Sequence, residues 1–546
     1  MPPFFKHICV ACVVTILVPA CKPKQEYSEK TIFKLNLTAP TTSLDPAFAS
    51  DQPNSWCCNL LYNGLVQLDN KLQIQPCIAE RWEISADRKT YTFYLRNDVF
   101  FHDDICFAGG EGRKITSSDF VFSFNRLLDP RTAARGDWVF QNITDSINPF
   151  VAVNDTILEI NLLKPYAPFL QRLCIPYCSV VPREALEKYG KDFRSHPVGT
   201  GPFKFLKWKE GELLILHKNE NYFETDDNGD QLPYLDAVNI SFIANKSTEF
   251  LKFMGKELDF VSDIDVSLKD NILTREGKLQ PRYASDFTLL KGPYLIVEYF
   301  SILMDSSAFI MQNNPLLEKN IRLAINYAFN RQEMLLFLRN NRGIPATSGF
   351  VPPSLYADTT NIPQGYTYDP QRAEQLLADA DFTNGEELPE ITIHTIDQYQ
   401  DFAVYLKDKL DDIGIKTKIE LVDSRRLRQM RVDKETSFFR SSWIADYPDA
   451  ETYLNLFYSK NGAPPNYTRF SNPAYDVLFE QAIVETDEAL RDKLYSKLDS
   501  MIIAHAPIVP LFYDEVYRFA QKNISGLDPD ALNMLQLKTV KKISDE

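Results

Sequence analysis

The sequence predicts a mixed α/β architecture assembled from discontinuous domains, and three observations predict it. Strand-type alternation and helix-type periodicity interleave along the chain. Tyr91, Phe93 and Leu95 alternate with polar neighbours, whereas Ile321, Ala324, Ile325 and Ala328 recur at helical spacing. About 525 of the 546 residues follow a leader-like N-terminus, too many for one core and enough for roughly two to four domain-sized units. No clean linker, internal repeat or low-complexity block divides them, so the domains are built from segments distant in sequence.

The N-terminus sets the compartment. Lys6 supplies a positive flank, Ile8 to Val18 is apolar except for Thr15, and "LVPAC" (Leu17 to Cys21) closes the run. That run is shorter than the ~20 residues a membrane helix needs and has the flanks of a signal peptide, predicted over residues 1–20. Ending on Ala20 and Cys21, it resembles a bacterial lipobox, which implies a diacylated Cys21 followed by a polar tether over 21–27. An ordinary cleaved signal with an incidental cysteine is the alternative. The expected location is extracytoplasmic, on a lipid anchor.

Losing residues 1–20 removes one lysine and no acid, so the net charge of −15 becomes −16. That balance argues against nucleic acid and anionic lipid as partners and mildly favours cationic ligands. Six cysteines then remain besides Cys21: Cys57, Cys58, Cys77, Cys106, Cys174 and Cys178. An even number in an oxidising compartment predicts one or more disulfides, with the pairing left open. No metal-ligand spacing occurs among them, and no cofactor or metal is expected.

Taken in chain order, "TYTFYLR" (Thr90 to Arg96), "TILEINLL" (Thr156 to Leu163), "ELLILH" (Glu212 to His217) and "IKTKIELV" (Ile415 to Val422) read as half-buried strands. "GTGPF" (Gly199 to Phe203) reads as a tight turn into paired strands with Gly211 between them. As a phosphate cradle it lacks a third glycine, and Pro202 removes an N–H. Helix starts are marked by Asn314-Pro315, Asp369-Pro370 and Asn472-Pro473, where the first residue caps and proline fits the first turn. Stripes at 321, 324, 325 and 328, at 373, 376, 377 and 380, and at 475, 478, 479 and 482 supply the apolar faces.

Catalytic patterns are missing: there is no GxSxG, HExxH, Walker loop or dinucleotide fingerprint. "FHDD" (Phe101 to Asp104) reads as a turn rather than a metal triplet. "ETDDNGDQLPYLD" (Glu224 to Asp236) departs from a calcium loop, with Glu224 at position one and Leu235 at position twelve. An exported hydrolase using Asp446 and Asp449 as a carboxylate pair is a remote alternative, since no nucleophile or metal accompanies them.

Seven stretches together resemble one family, the family-5 extracellular solute-binding proteins, which include dipeptide- and oligopeptide-binding lipoproteins of ABC importers. They are "AERWEISADRKTYTFYLRNDVFFHDD", "ITSSDFVFSFNRLLDP", "HPVGTGPFKF", "NPLLEKNIRLAINYAFNRQEML", "YDPQRAEQLLADADF", "WIADYPDAETYLNLFY" and "SNPAYDVLFEQA", in the family's order. The resemblance implies a two-lobed periplasmic-binding-protein fold of type II (cluster C) with a hinge and an inserted domain. Its expected first lobe comprises 28–66, 190–290 and 515–546, the insert 67–189, and the second lobe 291–514. It also implies a monomer that closes on its ligand, docks on ABC permease subunits and catalyses nothing.

In the family's peptide binders the aspartate of a Trp-x-Ala-Asp motif receives the α-ammonium of a peptide with a free N-terminus. Trp443, Ile444, Ala445 and Asp446 match that motif, so the role falls to Asp446. Trp443 is expected to wall the first side-chain pocket, with Tyr447 beside it. Arg440 matches a position that can meet the peptide carboxylate. A non-peptide solute on the same fold (a nickel chelate, glutathione, an opine or an oligosaccharide) is the main alternative.

Overall fold

The computed structural model describes residues 31–145, 147–382 and 388–543. The expected signal peptide, Cys21 and the tether lie outside them. No helix among the described residues is long and apolar enough to cross a membrane.

One large twisted sheet organises the molecule. Ten of its strands are β1 (Ile32–Asn36), β2 (Phe203–Lys209), β3 (Leu213–Lys218), β4 (Ala237–Ser241), β5 (Phe260–Ser262), β6 (Phe287–Ile302), β7 (Ile391–Thr395), β8 (Thr417–Leu421), β9 (Phe438–Ile444) and β10 (Ile508–Gln521). Their order is β8-β7-β9-β6-β10-β5-β1-β4-β3-β2, with the short strand Ile344–Pro345 also pairing β10. β1 runs parallel to β4 and β5, and β7 runs parallel to β8 and β9. Between these two groups, long β6 and β10 pair antiparallel from Phe287↔Gln521 to Ser301↔Ile508. Their ladder slips between Pro293 and Val297, opposite Glu515 and Tyr513. A register break inside two strands shared by both groups is a place where the backbone can flex without unpicking either group.

A second sheet joins Ala79–Ile84, Thr90–Leu95, Ile157–Asn161 and Phe150–Asn154, in that spatial order. Tyr91, Phe93 and Leu95 alternate inward as the sequence pattern requires, and helix Ser117–Leu128 packs its buried Phe120, Phe124 and Leu127 face on the neighbouring strands Ile157–Asn161 and Phe150–Asn154. Three apolar cores result, one under each β group and one around Phe250, Phe253, Phe287 and Phe519.

Two of the Asx-Pro helix starts form as expected. Asp369 accepts from the Arg372 amide at 2.9 Å, and Asn472 from Ala474 at 2.9 Å, opening helices Pro370–Ala378 and Pro473–Ala482. Asn314 instead caps only a single 3-10 turn, Pro315–Leu317, and the α-helix begins at Lys319. Glu318 there adopts an extended backbone that resets the chain direction before Ile321, Ala324 and Ile325 bury.

The expected disulfides do not form: all six cysteines are free thiols. Cys57 and Cys58 are adjacent on helix Gln52–Leu61, where successive side chains diverge by ~100° and cannot meet. Cys57 lies 3.4 Å from the Thr41 hydroxyl, whereas Cys174 and Cys178 donate to the carbonyls of Leu170 and Arg172. Burial pushes the Cys57 and Cys77 thiols up to about 12, which keeps them protonated and inert.

The "GTGPF" turn is glycine-rich because it lies on the end of that same helix. A Cβ on Gly199 would fall 2.0 Å from the Leu61 carbonyl oxygen, and one on Gly201 would fall 2.4 Å from the Leu61 carbonyl carbon. Both neighbours are backbone and cannot swing aside. Gly201→Ala is therefore expected to cost about 2–3 kcal/mol, read as a lower midpoint in denaturant unfolding with an unchanged slope.

Candidate functional site

A cavity of about 320 Å³ opens where the two β groups and the second sheet's domain converge. Its lining comes from the helix Gln52–Leu61 and the loop after it, from the segment 174–179, from Tyr294 on β6, from residues 444–446, and from the C-terminal stretch 530–538. Elements widely separated in sequence thus meet at one concave surface, the usual setting for a small-molecule site.

β9 delivers Asp446 to this cavity. The Ala445 amide donates to the Leu295 carbonyl at 2.8 Å, extending the β6 pairing one residue past the strand. Pro448 then turns the chain, and the Asp449 carboxylate accepts the Glu451 amide at 2.8 Å to start the helical turn Glu451–Leu454. The Tyr453 hydroxyl returns to the same Leu295 carbonyl at 2.6 Å. Asp446 is therefore fixed from both sides in a short, anchored turn.

The Asp446 carboxylate itself takes no hydrogen bond or ion pair among the described residues. Its side chain is exposed to the open cavity, while the protein crowded around it still pushes its pKa up to about 6 by desolvation, against the pull of Arg172. A carboxylate raised in this way is one that a cationic ligand group would lower again.

Behind Asp446 stands a buried network. The Arg172 guanidinium lies 4.8 Å from the Trp138 ring, 5.0 Å from Tyr166 and 5.4 Å from Tyr447. The hydroxyls of Tyr166 and Tyr447 are 3.0 Å apart, and Tyr447 donates to the Glu451 carboxylate. Arg172 Nη2 donates to the Tyr447 hydroxyl at 3.4 Å. These contacts bind the domain of the second sheet to the segment that carries Asp446.

Of the residues expected from sequence, Ile444, Ala445 and Asp446 line the cavity. Trp443, Tyr447 and Arg440 stand outside its lining. Trp443 Nε1 donates to the Thr452 hydroxyl at 3.3 Å, and Tyr447 is only 2% exposed within the network above. Arg440 Nη2 donates to both oxygens of Glu298, at 2.7 and 3.0 Å, and its guanidinium covers the Tyr399 ring at 3.6 Å. Its charge is thereby committed inside the protein. Burial pushes Glu298 up to about 7, with Arg440 pulling the other way. Asp449 is 7% exposed and spends its carboxylate on the helical turn, so it shares no open space with Asp446.

The other singled-out motifs are structural. His102 Nε2 lies 2.9 Å from the Gly201 carbonyl, and burial pushes its pKa down to about 4, a neutral ring holding the glycine turn. Asp226 accepts from the amides of Asn228 and Asp230 and from Tyr234, an ordinary Asx turn.

Several lining residues lie outside those expected from sequence. Asp51 caps helix Gln52–Leu61 by accepting the Asn54 amide at 3.0 Å, with Pro53 in the first turn. That is the same Asx-and-proline signal as the later helices, displaced by one residue. Asp530, Asn533 and Lys538 lie in a stretch without strand or helix periodicity, and only tertiary structure brings them to the site.

The glutathione-binding protein GsiB of Escherichia coli is 27% identical over 496 residues, covering 89% of each chain. The periplasmic binding protein DppA from Helicobacter pylori, solved with the peptide STSA, superposes with a TM-score of 0.75 at 26% identity, over 94% of this chain and 98% of that one. HbpA2 from Haemophilus parasuis superposes with a TM-score of 0.78 at 22% identity, over 94% and 100%. The model of the bacterial extracellular solute-binding proteins, family 5 (middle region), matches residues 73–465. With that match spanning well over half its length, and a mixed α/β fold shared along nearly the whole chain, this protein belongs to the family-5 extracellular solute-binding proteins.

Proposed function

We propose that the protein captures short peptides with a free N-terminus in the cavity at Asp446 and hands them to an ABC importer, without altering them. The observation that carries this reading is the unpaired, anchored Asp446 carboxylate facing a cavity lined by segments distant in sequence. An α-ammonium there forms a charge-assisted bond inside a partly dry site, where it is stronger than in water. The peptide-bound DppA neighbour supports it. The two lobes are taken as 28–66, 190–290 and 515–546 against 291–514, with 67–189 inserted. The ladder slip at Pro293–Val297 opposite Glu515–Tyr513 falls beside both lobe crossings and supplies the hinge. Trp443, Arg440 and Tyr447 support the site from behind rather than touch the ligand. Export and acylation of Cys21 would hold the chain at the membrane as a monomer facing the permease.

A second reading has glutathione or another non-peptide solute in the same cavity, and the GsiB relatives favour it. Native mass spectrometry with a library of two- to five-residue peptides, with and without N-acetylation, separates the two. Intact peptides that bind only with a free amine support the first reading. Glutathione binding with no retention of any library peptide would replace it with the second.

A further inference from the structure

The cavity's charges go beyond what one α-ammonium needs. Its lining carries three acids, Asp51, Asp446 and Asp530, and a single cation, Lys538. Lys538 is already engaged: its Nζ donates to Glu224 at 2.5 Å and to Gln67 at 2.8 Å. Asp51 is occupied as a helix cap. Asp530 differs from both. It is 8% exposed, and its Oδ1 accepts the amides of Leu532 and Met534 at 2.8 and 3.0 Å. Its Oδ2 takes no hydrogen bond among the described residues. The nearby Arg518 attracts Asp530 by charge but makes no hydrogen bond to it, its terminal N–H groups going to the Asp528 and Met534 carbonyls and to Asn533. An almost fully buried carboxylate thus presents an open oxygen to the ligand cavity.

We infer that Asp530 forms a second cation subsite, and that the preferred ligands are peptides carrying a basic side chain as well as a free N-terminus. This rests on the peptide reading above and narrows it. A ligand with one positive charge satisfies Asp446 and leaves the second Asp530 oxygen without a hydrogen bond in a mostly buried setting. A lysine or arginine side chain supplies that bond, and Tyr294 adds an aromatic ring to the same cavity lining. The arrangement also disfavours ligands with excess carboxylates. Glutathione has two carboxylates and one ammonium, and the lining's one lysine is spent on Glu224.

The test is calorimetric titration of the purified chain with alanine-based tripeptides holding lysine, norleucine or glutamate at the second or third position. Lysine is expected to bind about tenfold tighter than the near-isosteric norleucine at one of the two positions, and glutamate weaker than both. Asp530→Asn keeps the backbone-accepting oxygen and is expected to bring the lysine-to-norleucine ratio to within about twofold. Equal affinity for lysine and norleucine at both positions, with N-acetylation still abolishing binding, overturns the second subsite and leaves the peptide reading standing. A lysine preference that survives Asp530→Asn removes Asp530 from the role. No binding of any tripeptide overturns both readings.

Discussion

Asp446→Asn is expected to weaken binding of a free-amine peptide by about 100-fold while leaving the unliganded protein at least as stable as the parent. The two effects have one origin. Desolvation in the walled cavity raises the Asp446 pKa to about 6, whereas in the unfolded chain it lies near ~3.9. A carboxyl raised on folding opposes stability wherever it must ionise: the opposition is absent below the unfolded value and complete above the folded one. At pH 7.5 the asparagine variant escapes it, so its melting temperature should match or exceed the parent's. The carboxylate's contact with cavity water keeps that gain small. With ligand present the ranking reverses, because only the parent gains stability from binding.

The same value sets a pH profile. Ligand ammonium binds the ionised carboxylate, so affinity falls as pH drops through about 6. At the other end a peptide α-amine loses its proton above about 8. Affinity should therefore peak between about 6 and 8 and become flat on the acid side in Asp446→Asn. Calorimetry at pH 5, 7 and 9 reads this directly, along with proton release on binding near pH 6. An acid limb that persists in the variant would move the titrating group elsewhere.

What the sequence made legible was local. Alternation placed Tyr91, Phe93 and Leu95 inward, Asx-Pro pairs opened two of three helices, and Trp443 to Asp446 pointed to the acid that now faces the cavity. Each depends on neighbours a few residues away. Features that escaped depend on partners far along the chain. Arg440 meets Glu298 across 142 positions, Tyr166 meets Tyr447 across 281, and the Trp56 indole meets the Asn533 carbonyl across 477. Cysteine counting failed for a related reason. An even number says that bridges are permitted, while helix phase and carbonyl partners decide where each sulfur points.

Arg172→Met is expected to be the most destabilising change near the site, costing about 3–5 kcal/mol at neutral pH. Arg172 is 8% exposed and is the cation among three aromatic rings, the Tyr447 hydroxyl and two carboxylates, Asp446 and Glu451. Methionine restores much of the volume but no charge, so the loss is electrostatic rather than a cavity effect. Burial already pushes Glu451 up, and Arg172 is the strongest influence pulling it back. Without Arg172 the folded pKa of Glu451 rises further, and ionising it in the folded state becomes costlier. The deficit is therefore full above that raised value and shrinks as pH falls through it. Denaturant unfolding at pH 8 and pH 5.5 should show a larger loss at the higher pH. Glu451→Gln removes the stranded charge, so the double variant should lose less than the two single losses added together. Equal deficits at both pH values, with additive single losses, would mean that Arg172 matters only as packing against Trp138 and Tyr166. A pH-dependent, non-additive loss would instead identify it as the charge that lets Glu451 stay buried behind Asp446 while Asp446 stays free for a ligand.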